Sequence, residues 1–163
     1  MTRKRAELSV DCTFSLRHKF YLIRTSRVSG LKPSELPDVV KLEPVAHIED
    51  VVLSKMGMTL LWVSHKTFRY LRCDDGEGLN YTACTVLVGS EAARFSRILD
   101  AWCALFSDAP AIVRIPSGYD PEAKVNTYDA FDRDRIIEGL TSTSRMARAA
   151  SEEEDSCLLH MGV

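Results

Sequence analysis

Residues 8–22, LSVDCTFSLRHKFYL, alternate between apolar and polar side chains over almost their whole length. Every even position except His18 is apolar: Leu8, Val10, Cys12, Phe14, Leu16, Phe20 and Leu22. Successive side chains of a strand point to opposite faces, so a period of two indicates β-structure with one buried face. The pattern predicts antiparallel strands. The break at His18 indicates either a turn at residues 17–19 that joins two strands, which is the favoured interpretation, or a bend in one long strand.

Two further segments, residues 60–72 and 80–88, are rich in the aromatic and β-branched residues typical of strands. Asp75-Gly76 lies between them and is a common hairpin turn, because glycine adopts positive φ without a Cβ penalty. We therefore expect the two segments to pair antiparallel, with the turn at residues 74–78. The carboxylates of that loop lack the ligand spacing of a calcium loop, so they indicate a solvated turn rather than a metal site.

Residues 90–106 show the clearest helical pattern, with Ser90 as the N-cap. They carry one apolar stripe: Phe95, Ile98, Leu99, Trp102, Cys103 and Phe106. A helix is also expected over residues 128–139, and residues 143–150 allow one more. Residues 46–55 fit a helix or a strand, because their apolar spacing is helical while their β-branched residues favour a strand.

These elements together indicate the fold class. Residues 111–115 add a short strand, and residues 116–125 are expected to form a loop. The order of elements predicts an α+β domain: an antiparallel sheet of about five to six strands, with the helices packed on one face. Residues 1–150 are expected to form this single domain, followed by an acidic, frayed tail over residues 151–163.

Length and composition place the chain among ordinary globular proteins. It has 163 residues, a net charge of −2 and five cysteines without a Cys-x-x-Cys pair, which favours reduced thiols over zinc ligands or disulfides. The longest apolar runs fall well short of the ~20 residues that a membrane span needs. The basic N-terminus is not followed by an apolar stretch, so we expect a cytoplasmic protein without a signal peptide. No cofactor is predicted.

Charge is distributed unevenly along the chain, and its basic part suggests nucleic-acid binding. Residues 1–32 hold eight Lys or Arg against two Asp or Glu. Four residues at odd positions are expected on one strand face: Arg17, Lys19, Tyr21 and Arg27. Positive charge with an interleaved aromatic side chain suits phosphate contact and base stacking. A near-neutral chain with a pI of about 6.1 makes this the alternative rather than the leading hypothesis.

A second alternative is a hydrolase with a site around His47, Glu49 and His65. Imidazole and carboxylate groups can bind a metal or transfer protons. The His-x-Glu spacing is weak evidence, however, because the sequence contains no His-Glu-x-x-His, Gly-x-Ser-x-Gly or P-loop motif. We assign no catalytic or metal-binding residue from the sequence, and an enzymatic function is not favoured.

The leading hypothesis is a non-catalytic protein-binding module of the inhibitor, immunity or adaptor type. Residues 90–163 hold thirteen Asp or Glu against eight Lys or Arg. The acidic residues that we expect to contact a partner lie in or near the predicted helix at 128–139: Asp120, Glu122, Asp129, Asp132 and Asp134. An acidic surface steers a basic partner such as a toxin or nuclease, and such a module needs no catalytic motif.

Overall fold

The structure is a computed structural model that describes residues 16–28, 35–41, 43–69 and 72–162. Its strands are β1 (Arg17–Arg24), β2 (Val45–Glu49), β3 (Ser64–Arg69), β4 (Arg72–Glu77), β5 (Cys84–Leu87), β6 (Ile112–Asp120), β7 (Val125–Asp132) and β8 (Ser156–Met161). Six of them form one sheet in the order β2-β1-β8-β5-β3-β4, and every neighbouring pair is antiparallel. The predicted α+β class is confirmed. Strands β6 and β7 form a separate two-stranded sheet.

The helices are α1 (Thr25–Val28), α2 (Leu36–Val40), α3 (Asp50–Lys55), α4 (Gly57–Leu60), α5 (Gly89–Ser107) and α6 (Arg133–Glu152). The long helices α5 and α6 pack against each other, and α6 crosses β2, β1 and β8. The sheet face under them, here called the helix face, contributes Phe20, Ile48, Leu87 and Leu158 to the main core. Phe95 and Leu99 of α5 and Leu140 of α6 meet these side chains, as the predicted stripe of residues 90–106 requires.

The opposite face of the sheet, here called the outer face, is partly covered by the short helices α1 and α2. Val28, Leu36 and Val40 pack there in a second cluster with Tyr21 and Leu159. The centre of the sheet is therefore buried on both sides, and all residues of β8 from Ser156 to His160 are buried. A strand buried on both faces is apolar at successive positions, so strict alternation is lost there.

The predicted frayed tail over residues 151–163 is wrong. Residues 151 and 152 complete α6, and β8 lies between β1 and β5, with Leu158 paired to Leu22 on one side and to Leu87 on the other. Two acidic residues fix the connection between α6 and β8 by hydrogen bonds. The Asp155 carboxylate accepts hydrogen bonds from Ser26, and the Glu153 carboxylate accepts one from Ser156. The acidic run makes specific contacts rather than keeping a tail in solvent.

The turn predicted at residues 17–19 is also wrong, because β1 runs through these positions without a break. His18 is fully buried there and finds polar partners in the core, described below. Of the strand predicted before that turn, only Leu16 lies within the described residues.

The predicted pairing of residues 60–72 with 80–88 is confirmed where β3 pairs with β5, for example Lys66 with Val86. The turn at 74–78 is wrong, because Asp75 and Gly76 lie inside β4, which pairs with the other side of β3. Residues 70 and 71, between β3 and β4, lie outside the described part of the chain. Residues 46–55 contain both proposed structures, the end of β2 followed by α3.

The loop at 116–125 and the helix start at residue 128 are corrected as well. β6 and β7 form a hairpin, and α6 begins only at Arg133. The Asp132 carboxylate caps this helix by accepting a hydrogen bond from the Arg135 backbone N–H at 3.0 Å. From there one helix continues to Glu152, so the two predicted helices at 128–139 and 143–150 are a single one.

Gly139 sets the distance between α6 and the sheet. An ideal Cβ at this position would lie 2.4 Å from the His47 carbonyl oxygen of β2. That distance is far inside van der Waals contact, so the helix rests directly on strand backbone here. Gly57, at the start of α4, has no atom within 4 Å of such a Cβ.

We expect Gly139→Ala to destabilise the fold although alanine favours helices. The gain in helix propensity is about 1 kcal/mol, whereas overpacking of this kind costs about 1–3 kcal/mol and the clash here is with backbone. Urea denaturation should show a lower midpoint for Gly139→Ala. The matched control Gly57→Ala should unfold at the wild-type midpoint or above it. Equal midpoints for the two variants would contradict the close contact of α6 with β2.

Candidate functional site

A chain of hydrogen-bonded polar groups lies in the core, and we call it the histidine chain: Asp50, His18, His160 and Thr85. His18 Nε2 lies 2.9 Å from Asp50 Oδ1, and His18 Nδ1 lies 2.8 Å from His160 Nε2. His160 Nδ1 is 3.4 Å from the Thr85 hydroxyl. Both imidazole rings are completely buried, while the Asp50 side chain is 36% exposed. The histidine chain thus runs from the surface into the middle of the sheet.

Four elements bring these residues together. His18 is on β1 and His160 on β8, where its direct partner is Phe20, so the two histidines are diagonal neighbours on the helix face. Asp50 is the first residue of α3, and its backbone N–H donates to the Leu16 carbonyl at 2.9 Å. Thr85, on β5, pairs with His160 from the other side of β8. Strand pairing brings His18, His160 and Thr85 together, and the start of α3 adds Asp50.

The neutral histidine chain has one arrangement of protons that satisfies every group. A carboxylate only accepts hydrogen bonds, so His18 donates from Nε2 to Asp50. Its unprotonated Nδ1 then accepts from His160 Nε2, and His160 Nδ1 accepts from the Thr85 hydroxyl. The Thr85 oxygen in turn accepts from the Asn80 backbone N–H at 3.0 Å. In this neutral form both rings carry their hydrogen on Nε2.

Burial lowers the pKa of His160 to about 3, with smaller contributions from His18 and His65. Tyr81 packs its ring edge-on against His18 at 4.8 Å between ring centroids, and burial together with Asp50 raises its pKa to about 12. Among the described residues, the buried Tyr81 hydroxyl has no hydrogen-bond partner. This part of the core therefore disfavours the charged forms of His160 and of Tyr81.

The burial of both rings supports a structural role for the histidine chain, as a buried hydrogen-bond network, rather than turnover of a substrate. Neither imidazole presents any surface to solvent, so a substrate cannot reach a ring nitrogen without an opening of the sheet. The described residues contain no group of three or more His, Cys, Asp or Glu side chains placed to hold a metal ion. Asp50 is the one member of the histidine chain at the surface.

The residues of the hydrolase alternative do not converge. His47 is largely exposed on the outer face of β2, where partial desolvation and the positive charges of Arg17 and Lys19 lower its pKa. His65 is nearly buried on the helix face of β3, close enough to act on His160. Four strand-to-strand steps separate β2 from β3, or roughly 19 Å at ~4.8 Å a step. Glu49 pairs with Arg17 at 2.9 Å instead.

The predicted nucleic-acid surface is not assembled either. Tyr21 is buried in the cluster that also holds residues of α1 and α2, so its ring is not available for base stacking. Arg17 pairs with Glu49, and Arg27 lies in α1 rather than on the strand and pairs with Glu43. Lys19 is exposed. The four residues do not form one basic face.

The five predicted partner-binding residues all lie on or beside the hairpin of β6 and β7, which we call the ribbon (residues 112–132). Asp120 and Glu122 are at its tip, where the Asp120 carboxylate accepts from the backbone N–H groups of Glu122 and Ala123. Asp129 and Asp132 lie on β7, and Asp134 in the first turn of α6. Asp120 and Asp132 therefore also have structural roles, as turn and helix caps.

Only the base of the ribbon packs on the core. Ile115 is buried there, and Val113 and Phe131 pack against it. Beyond the irregularity at residues 116–118, both strands expose nearly all of their side chains. Tyr119 is 59% and Tyr128 45% exposed, and the Arg114 guanidinium lies 5.2 Å from the Tyr128 ring centroid. The sequence interpretation missed these tyrosines because it placed a loop and a helix here.

A cleft of about 380 Å³ lies at the far end of β1, lined by Arg24, Arg27, Glu43 and Glu153 among others. Its charges are of both signs, and Arg27 already pairs with Glu43. The cleft therefore does not favour one class of ligand.

Comparison with known proteins adds no relative: no family model, curated protein or solved structure matches the chain. Among the described residues, none of the helices is both long and apolar enough to cross a membrane.

We expect Thr85→Val to destabilise the protein by about 1–3 kcal/mol, the usual penalty for leaving buried polar groups unsatisfied. The substitution removes the hydroxyl donor to His160 and the acceptor of the Asn80 N–H. The comparison is with Thr82→Val, an exposed site where the effect should stay within ~0.5 kcal/mol. Equal unfolding free energies for both variants, measured by urea denaturation, would show that the histidine chain does not need Thr85.

Proposed function

We propose that the protein acts by binding a basic protein through the ribbon, without turnover of its own. The observation that carries this proposal is the ribbon itself, which leaves the core after Ile115 and exposes both faces of its outer half. A two-stranded ribbon without a packed face is marginal in water. A partner that covers it would supply the missing contacts.

The exposed side chains of the ribbon suit a protein partner. Tyr119, Val125 and Tyr128 are large and accessible. Tyrosine is common at the energetic centres of interfaces, because it buries a large area with few rotatable bonds and carries a polar tip. The open edges of β6 and β7 could also accept a strand from the partner, as in strand addition to a sheet edge.

Charge supports a basic partner. Residues 112–134 carry five acidic residues, Asp120, Glu122, Asp129, Asp132 and Asp134, against Arg114, Lys124 and Arg133. An acidic excess around an aromatic centre accelerates encounter with a positively charged protein and disfavours acidic ones. Occlusion of a basic toxin or nuclease, in the manner of an inhibitor or immunity protein, is the specific form of this proposal.

We further propose the cytoplasm as the place of binding. Cys84, Cys103 and Cys157 are free thiols. Burial raises the pKa of Cys84, and it raises the pKa of Cys157 to about 11, so these thiols stay protonated and unreactive near neutral pH. Free, buried cysteines suit a reducing compartment.

The test is affinity capture with the purified chain, followed by titration of the captured protein. We expect one stoichiometric, basic partner. Replacing both tyrosines, Tyr119→Ser with Tyr128→Ser, should weaken its binding on the order of tenfold or more. Glu122→Lys should slow association and reduce its dependence on salt.

The control is Glu154→Lys, a charge reversal of the same size at an exposed site between α6 and β8. It should leave affinity unchanged, and all variants should keep the wild-type unfolding midpoint because their sites are exposed. A partner that binds the ribbon variants as tightly as the wild type would exclude the ribbon as the interface. A small molecule turned over by the chain would exclude the non-catalytic role.

A further inference from the structure

The histidine chain can hold one extra proton but not two. A proton added to His18 places an imidazolium beside the Asp50 carboxylate at 2.9 Å, a favourable ion pair. His18 Nδ1 then carries a hydrogen and donates to His160 Nε2. The His160 proton must move to Nδ1, which faces the Thr85 oxygen at 3.4 Å. The direction of donation reverses, and every contact between rings is kept.

A second proton has no place in this arrangement. With both rings doubly protonated, two N–H groups would face each other across the 2.8 Å between His18 Nδ1 and His160 Nε2. Two positive charges would also lie on stacked rings with centroids 5.0 Å apart. No acceptor remains between the rings, so the His18–His160 contact must break.

We propose that the histidine chain is an acid-sensitive lock on the C-terminal strand: protonation of both His18 and His160 breaks the chain and releases β8 from between β1 and β5. The lock acts on β8 because His160 lies inside this strand and Thr85 and His18 come from its two neighbours. Loss of the strand divides the six-stranded sheet into β2-β1 and β5-β3-β4. This inference is independent of the proposed binding function.

The groups around the pair do not compensate a second charge. His18 and His65 are the charged or titratable groups that act on His160, and both oppose its protonation. Asp50 reaches His18 at 2.9 Å, and Tyr81 covers His18 with a phenol that stays neutral. Across the core, α5 contributes Phe95, which stacks on Phe20 beside His160. The charged pair between α5 and α6, Asp100 with Arg148, lies at the surface.

The sign of the pH dependence follows from the lowered pKa. His160 binds a proton in the folded protein only near pH 3, but in the unfolded chain near its ordinary value of 6.5. The unfolded state therefore holds more protons between these values, and stability falls as pH falls from 6.5 toward 3. The unfolding equilibrium constant rises up to tenfold per pH unit, or about 25-fold between pH 7 and pH 5 from His160 alone.

The first experiment observes the imidazoles directly in the wild-type protein. Long-range ¹H–¹⁵N correlation spectra should show His160 as a neutral ring at pH 7, with a single hydrogen shared between His18 Nδ1 and His160 Nε2. His47, exposed on the outer face, should titrate while the protein stays folded. His160 should stay without a second proton until the amide signals of β8 leave their native positions. Titration of His160 between pH 6 and 7 in an intact fold would overturn the lock.

The second experiment compares urea denaturation at pH 7 and pH 5. The wild type should be less stable at pH 5 than at pH 7, with His160 contributing about 25-fold to the rise in the unfolding constant. In His160→Gln the side-chain amide can still form hydrogen bonds but cannot take up a proton. The rise in the unfolding constant from pH 7 to pH 5 should therefore be about 25-fold smaller in this variant than in the wild type. His47→Gln is the comparison at an exposed site, and it should reduce the pH dependence less than His160→Gln does, because partial desolvation lowers the pKa of His47 less than full burial lowers that of His160. An unchanged pH dependence in His160→Gln would refute the proposal, as would a wild type equally stable at both pH values.

Discussion

The C-terminal strand β8 is the element on which the remaining structure depends, because it supplies backbone partners to two strands at once. It pairs with β1 on one side and β5 on the other. Without it, β2-β1 and β5-β3-β4 would be two small sheets with unpaired edges facing each other. Its side chains also join both apolar clusters, since Leu158 lies in the core under α5 and α6 and Leu159 in the cluster under α1 and α2.

The histidine chain adds specificity to this arrangement. A shift of β8 by one residue would move His160 to the outer face and leave His18 Nδ1 without its partner. A buried polar network that is fully satisfied therefore favours a single register, while the same network partly satisfied is costly. The same arrangement makes the network sensitive to acid, because the hydrogen bond between the two rings leaves no place for a second added proton. The ribbon does not depend on the histidine chain, since its side chains beyond Ile115 are exposed, including Tyr119 and Tyr128.

Local patterns in the sequence were sufficient for the fold class and for α5, since a long amphipathic stripe and alternating segments depend on near neighbours. The place of β8 was not predictable in this way, because a short apolar run after an acidic run resembles a tail until β1 and β5 enclose it. The acidic spacing in β7 fitted a helix, and only the packing of Phe131 and the cap by Asp132 fix the boundary. The histidine chain depends on strand pairing between distant segments, so no local sequence motif predicts it. The acidic residues of the ribbon were singled out from composition, whereas the tyrosines beside them became visible only with the hairpin.

Native-state hydrogen exchange at neutral pH reports directly whether β8 lies in the centre of the sheet. Every backbone N–H of a central strand is bonded to one of two neighbours, and such amides exchange only through global unfolding. We expect the amides of Leu158 and Leu159 to exchange as slowly as those of Phe20 and Leu22, with the free energy of global unfolding measured in urea. Exchange of the β8 amides near the rate of an unprotected peptide, while β1 stays protected, would show that residues 156–161 are not a strand of the sheet.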